Sequence, residues 1–149
     1  MGKFITLLVG LALLGQHAGA QQAVTTVEVF ANSAMHVSPS TSEALPLPYQ
    51  LNIYRVDGMQ NLEAQINQVL PQDEEQAKAW VAANQAKLQK QLRPAAQNTA
   101  AGITLAMRYR LQRIPAIVIN RQTVVYGITD VNEAIALAQA HQQAGGHTQ

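Results

Sequence analysis

The sequence predicts an α/β protein with a four-stranded mixed sheet flanked by helices and a helical insertion between the second strand and a C-terminal β-hairpin. Three observations predict this fold class. Residues 24–30 and 51–56 are β-branched or alternate between apolar and polar, as strands do. Residues 114–119 and 123–126 are two further apolar runs, and the three residues between them predict a hairpin. Between 62 and 111, apolar residues recur at helical spacing.

The connections fix the strand directions. Residues 32–42 are small and polar, with a proline at 39, and predict a loop or a short irregular helix between the first two strands. A connection of that length allows a crossover, so the first two strands are expected to be parallel. The tight connection in the C-terminal pair makes the last two strands antiparallel.

Prolines divide the helical insertion. Pro71 separates a first helix from a second, whose first turn carries the acids 73–75. Pro94 is expected to stop this second helix, and a third is expected from about Asn98. The D-x-x-E pattern at 130–133 predicts the start of the last helix. The core is expected between the third helix and the sheet, and to include Ile103, Met107, Leu111, Ile117 and Ile119.

The N-terminus has the order of features found in secretory signal peptides. Lys3 precedes an apolar run, and Ala18-Gly19-Ala20 supplies the small residues that a signal peptidase accepts. The run is too short for a membrane anchor, which needs about 20 apolar residues. We therefore expect a signal peptide at 1–20, cleavage after Ala20 and export to the periplasm. A single domain is expected at 21–143, a flexible tail at 144–149, and no membrane span after cleavage.

The composition excludes several classes of function. The chain has no cysteine, so thiol catalysis, Fe–S clusters and thiolate zinc sites are excluded. Hydrophobic residues make up 48% of the chain, enough for a core without disulfides. Ten Lys and Arg against nine Asp and Glu give no clustered basic face, so no nucleic-acid partner is expected. His141 and His147 are too weak a signal to predict a metal site, and no cofactor is expected.

Residues 106–115, Ala-Met-Arg-Tyr-Arg-Leu-Gln-Arg-Ile-Pro, lead into the apolar run 116–119. This segment resembles the A-x-x-Y-x-φ-x-x-φ-P segment of thioredoxins, where φ is apolar and the proline is cis. The resemblance implies a thioredoxin-like fold and a cis bond before Pro115, with Gly127 and the helix from Asp130 as closing elements. The inserted helices resemble those of periplasmic disulfide-oxidoreductase relatives.

The departure from thioredoxins falls at their C-x-x-C site. After the first strand this chain reads Ala-Asn-Ser-Ala-Met-His over 31–36. Disulfide exchange needs a thiolate to attack a sulfur atom, so redox catalysis is excluded.

A narrower resemblance rests on Val-Glu-Val-Phe at 27–30, the exported N-terminus and the segments 114–119 and 124–130. In these the chain resembles exported thioredoxin-like proteins of integrating conjugative elements, which are similar to TrbC-type pilus-assembly proteins. The resemblance implies a periplasmic role in a conjugative type IV secretion system, with protein partners from that machinery.

The candidate binding residues lie around the predicted cis-proline loop. In thioredoxin relatives the backbone at the position of Ile114, beside the first helix's N-terminus, pairs with an extended segment of the partner. Pro115 alternatively only begins a buried strand, as prolines often do. Ser33 and His36 stand where the redox motif would be. They are three residues apart, so a nucleophile and base pair is conceivable, but no orienting third residue is evident.

Three functions compete at this point. The first is a non-catalytic assembly or scaffold component of the secretion system that binds a partner through Ile114, Pro115, Ser33 and His36. The second is a holdase-type periplasmic chaperone using the same groove. The third, and least favoured, is a thiol-free enzyme using Ser33 and His36. The absence of cysteine and of a triad favours binding over catalysis.

Overall fold

A computed structural model describes residues 22–38 and 46–145. The predicted signal peptide, its cleavage site after Ala20 and most of the predicted tail lie outside these residues. Seven elements follow one another in the order β1, β2, α1, α2, β3, β4 and α3. No helix within the described ranges is both long and apolar enough to cross a bilayer.

The four strands form one mixed sheet in the order β2-β1-β3-β4. They are β1 (Thr26–Ala31), β2 (Gln50–Arg55), β3 (Ala116–Ile119) and β4 (Thr123–Tyr126). Strand β1 pairs in parallel with β2 and antiparallel with β3, and β3 and β4 form an antiparallel hairpin. The predicted fold class and strand directions are therefore confirmed, and β1 and β3 occupy the centre of the sheet.

The helices are α1 (Gly58–Val69), α2 (Glu74–Arg108) and α3 (Val131–Gly145). The expectation that Pro94 stops a helix was wrong, because α2 runs through it for 35 residues. Pro94 removes one backbone donor from the helix, which leaves the carbonyl of Lys90 without its usual partner. Both residues are exposed, so water can satisfy that carbonyl. The two helices expected around Pro94 are one helix, about 50 Å long at 1.5 Å per residue.

Helix α2 ends at a left-handed residue. Arg110 has a φ of 54°, and its N–H donates to the carbonyl of Met107 at 3.1 Å. The N–H of Leu111 donates to the carbonyl of Ala106 at 2.9 Å. These two bonds are the Schellman pattern, which satisfies carbonyls at the end of a helix. Glycine is the usual residue at this position because it has no Cβ, and here an arginine occupies it.

Each face of the sheet is covered by a different helix. Val27, Val29 and Ala31 point to one face and pack with Val131, Ala134 and Ala138 of α3. Phe30, Ala116 and Val118 point to the other face, against Leu105 and Ala106 of α2 and against Tyr109, which directly follows that helix. The alternation along each strand thus gives the sheet two apolar faces, one for each helix.

Part of the predicted core is on the surface. Ile117 and Ile119 are buried and Leu111 is half-buried, but Ile103 is 47% and Met107 is 74% exposed. The helix turns a different side to the sheet, and Gly102 is its closest point. A Cβ built on Gly102 would lie 2.8 Å from the Cβ of Tyr54, so only a glycine allows this approach. The apolar periodicity predicted the wrong face of α2 as buried, because the residue at the centre of the true buried face is a glycine.

Helix α2 also covers the outer edge of β2. The Asn98 side chain accepts a hydrogen bond from the Arg55 N–H at 2.9 Å and donates one to the Ile53 carbonyl at 2.8 Å. The Thr99 hydroxyl donates to the Arg55 carbonyl at 3.1 Å. These side chains take the place of a neighbouring strand, and they fix the height of α2 along the sheet.

Candidate partner-binding site

The segments expected to form the binding site meet at one end of the sheet. Phe30 lies opposite Ala116 in the β1–β3 ladder, so Ile114 and Pro115 lie beside the chain that leaves β1. The peptide bond between Ile114 and Pro115 is cis, which confirms that prediction. The Gly127 N–H donates to the Pro115 carbonyl at 3.0 Å and ties the loop to the end of β4. We call this region, formed by residues 32–38, 56–58, 112–115 and 127–130, the Pro115 end.

Ile114 differs from its neighbours in its backbone. Among the hydrogen bonds of the described residues, none uses the Ile114 N–H or its carbonyl oxygen. Its side chain is half-buried and packs against the cluster around Phe30, Ala116 and Val118. The side chain therefore anchors the residue while its two backbone groups remain available to a partner.

The chain that leaves β1 makes a compact turn. The Asn32 side-chain oxygen accepts hydrogen bonds from the N–H groups of Ala34 at 3.1 Å and Met35 at 3.0 Å. The Arg55 guanidinium, at the end of β2, donates to the carbonyls of Asn32 at 2.6 Å and Met35 at 2.8 Å. An Asx turn thus follows β1, and an arginine holds it. Of the loop and the short irregular helix predicted for this stretch, the structure shows a loop over residues 32–38.

Ser33 is bound to Asp57. Its N–H donates to both carboxylate oxygens, at 2.8 and 2.9 Å, and its hydroxyl donates to Oδ1 at 2.9 Å. Burial on its own would raise the pKa of Asp57, but the hydrogen bonds from Ser33 and the Arg55 charge outweigh it and hold that pKa below its usual value. Asp57 is therefore an anchoring anion and a weak base, which does not activate the Ser33 hydroxyl.

His36 lies at the same end, exposed to solvent. The conceivable Ser33–His36 pair is not assembled, because the Ser33 hydroxyl donates to Asp57 instead. The structure thus brings Ser33, His36, Ile114 and Pro115 to one end of the sheet, as expected for a binding site, without the geometry of a nucleophile and its base.

The end of segment 32–38 that is distant from β1 is hydrogen-bonded to the start of α3. The Ser38 N–H donates to the Thr129 carbonyl and the Val131 N–H donates to the Ser38 carbonyl, both at 3.1 Å. The Asp130 side chain accepts from the Glu133 N–H at 3.0 Å, which confirms the predicted helix start. Both ends of the described segment 32–38 are thus held by neighbouring elements.

Sequence reasoning did not single out Arg55 and Asp57, the two residues that hold the turn. A signal was present, because β1 and β2 are parallel and their C-terminal ends lie at the same edge of the sheet. Charged residues directly after β2 are therefore placed to bind the turn after β1. Within residues 22–38 and 46–145, no three His, Asp or Glu side chains are grouped closely enough to hold a metal ion.

Comparison with known proteins adds one result. Over residues 20–144 the sequence matches the family model described as "Protein of unknown function (DUF1525)", and the chain belongs to this family. The match runs from before β1 into the last turn of α3, so it covers the whole sheet, α1, α2 and nearly all of α3. No curated protein and no solved structure matches the chain.

Proposed function

We propose that this DUF1525 protein is a non-catalytic, exported assembly or scaffold component of a conjugative type IV secretion system, and that it binds a protein partner at the Pro115 end. The observation that carries the binding site is the pair of unused backbone groups on Ile114, held beside a rigid turn. The link to conjugation rests on the sequence resemblance in residues 27–30, 114–119 and 124–130, and export rests on the signal-peptide pattern.

The mode of binding is short strand addition. An extended segment of the partner would pair its backbone with the N–H and carbonyl of Ile114, as peptides do at exposed strands. The neighbouring turn is already fixed by Arg55 and Asp57, so little conformational entropy is lost when the partner binds. Ala34 and His36, in the turn at the same end of the sheet, are exposed, and we expect them to set the preference for the partner.

Binding is favoured over catalysis by the state of Ser33. A serine nucleophile needs a base that takes its proton. Here the hydroxyl hydrogen points to a carboxylate whose pKa is lowered, and the same carboxylate accepts two further bonds from the Ser33 N–H. This arrangement fixes the turn, which a binding surface requires.

The proposal is tested in a donor strain from which the gene has been deleted. DNA transfer should fall to near background and return with the wild-type gene. The double variant Ala34→Glu with His36→Glu places two negative charges on the exposed turn of the Pro115 end and should not restore transfer. Ala140→Glu with His141→Glu makes the same chemical change on exposed positions of α3 and should restore it.

Three outcomes contradict the proposal in different ways. Unchanged transfer after deletion would refute the role in conjugation, and a broad loss of exported proteins instead would favour the chaperone. Full complementation by the Ala34 and His36 variant, at normal protein level, would refute the Pro115 end as the binding site.

A further inference from the structure

A polar cavity lies away from the Pro115 end. It has a volume of about 450 Å³ and opens between the β1–β2 half of the sheet and the C-terminal turns of α2. In the ladder Glu28 lies opposite Asn52 and Val118, two residues back along β1 from Phe30. Its polar lining comes from Glu28, Gln50, Asn52, Tyr54, Arg108, Tyr109 and Arg121.

Glu28 is the buried acid of this cavity. It is only 4% exposed, and its Oε2 accepts a hydrogen bond from the Tyr109 hydroxyl at 2.6 Å. Within the described chain, no lysine or arginine nitrogen lies within 4.0 Å of its carboxylate. A buried carboxylate is normally paired with a cation or with several donors, since its two oxygens can accept about four hydrogen bonds. One phenol leaves most of that capacity to a group inside the cavity.

The two tyrosines cannot supply a charge of their own. Burial raises the pKa of Tyr54 and that of Tyr109, and the negative charge of Glu28 adds to both shifts. Both phenols therefore stay neutral and act only as hydrogen-bonding groups.

Two arginines stand at the mouth of the same cavity. Arg108 lies at the end of α2 and Arg121 in the turn between β3 and β4, and both side chains are exposed. Their positive charges reach the Tyr109 phenol and oppose the rise of its pKa. A guanidinium presents paired N–H donors that match a carboxylate. The cavity thus has a negatively charged hydrogen-bond acceptor inside and positively charged hydrogen-bond donors at its mouth.

We propose that this cavity binds a small zwitterion of the amino-acid type, with its ammonium group on Glu28 and its carboxylate on Arg108 and Arg121. A simple amine would be repelled by the two arginines, and a simple carboxylate would be repelled by Glu28. A molecule that carries both charges satisfies both ends. The volume lies within the range of about 300–1,000 Å³ that small-molecule sites occupy. This site is independent of the proposed role in secretion.

The test is titration of the protein, purified in its exported form, followed by amide NMR and calorimetry. The probes are glycine, L-lysine and L-glutamate, with glycylglycine as a zwitterion of wider charge separation and methylamine and acetate as single-charge controls. At least one amino acid should bind saturably with a Kd of about 1 mM or tighter, and methylamine and acetate should bind about tenfold more weakly or worse. The shifted amides should include those of Glu28, Asn52 and Tyr109.

Variants locate the site. Glu28→Gln removes the charge that holds the ammonium group and should weaken binding about tenfold or more. Glu63→Gln changes an exposed acid on α1 and should leave binding unchanged. Arg108→Gln, at an exposed helix position, should weaken binding similarly and provides the test if Glu28→Gln does not fold. The proposal is overturned if no amino acid binds saturably, if acetate binds as tightly as the amino acids, or if the Arg108 variant binds like the wild type.

Discussion

Substitution of Gly102 by alanine gives opposite expectations from helix propensity and from packing. Alanine is favoured over glycine inside a helix by about 1 kcal/mol, so propensity alone predicts that Gly102→Ala stabilises the protein. The structure predicts the reverse. The new methyl carbon would lie 2.8 Å from Tyr54 Cβ and 3.4 Å from Tyr54 Cγ, whereas carbon atoms pack best about 3.5–4.0 Å apart.

The magnitude follows from what must move. Tyr54 Cβ is attached directly to the backbone of β2, so no side-chain rotation relieves the contact, and α2 has to shift away from the sheet. Overpacking of this kind costs about 1–3 kcal/mol. After the gain in propensity of about 1 kcal/mol is subtracted, we expect a net loss of up to about 2 kcal/mol in the free energy of unfolding. The melting temperature should fall by several degrees, at about 3–6 °C per kcal/mol for a domain of this size.

The assay is urea unfolding followed by circular dichroism, with Ala101→Gly as the matched control. Ala101 is the exposed neighbour of Gly102 in the same helix, and its change to glycine should cost only the propensity difference of about 1 kcal/mol. If Gly102→Ala raises the free energy of unfolding, α2 does not approach β2 as closely as described. Gly102 is then not the reason why Ile103 and Met107 lie on the surface.

Three further predictions concern single contacts. Asn98→Ala should lower the free energy of unfolding by about 2 kcal/mol, because two backbone groups of β2 lose their partners, whereas Asn84→Ala, whose amide bonds only its own helix, should change it little. Burial, the hydrogen bond to Glu28 and its charge raise the pKa of Tyr109 to about 12 from 10.0, so the stability that Tyr109 contributes is complete below pH 10.0 and is lost as the pH rises through about 12. Denaturant unfolding over that range should show this fall, and Tyr109→Phe should make it shallower. Arg110→Gly should raise the free energy of unfolding by about 0.5–1 kcal/mol, since glycine adopts the positive φ without a Cβ penalty, and thermal unfolding would reveal a fall instead.

The strands and the C-terminal hairpin were predictable because the residue patterns that indicate them are local in the sequence. Each strand is an apolar run bounded by turn residues, and the short connection at 120–122 permits only an antiparallel pair. The cis bond before Pro115 and the position of the candidate binding loop were predicted from the resemblance of one segment to thioredoxins. These features depend on residues that are close together in sequence.

The course of α2 was not predictable in the same way. Whether Pro94 ends a helix depends on whether the freed carbonyl can be hydrated and whether both flanks pack on something else, and neither is written near Pro94. The face that α2 turns to the sheet is decided by Gly102 and by the bonds of Asn98 to β2, all long-range contacts. The cavity at Glu28 likewise joins residues 81 positions apart, since Tyr109 supplies its hydrogen bond.

The bonds from Asn98 and Thr99 also limit how copies of the protein can join to one another. A sheet with two free edges can add a strand on each side, and rows of molecules then grow without limit. Among residues 22–38 and 46–145, the outward backbone groups at the C-terminal half of β2 are already occupied, and only the four-residue β4 presents a complete outer edge. A molecule with one complete edge can pair with one neighbour through its strands, after which growth ends. The side chains of α2 thus determine how many neighbouring molecules can pair with the sheet, as well as the position of the helix.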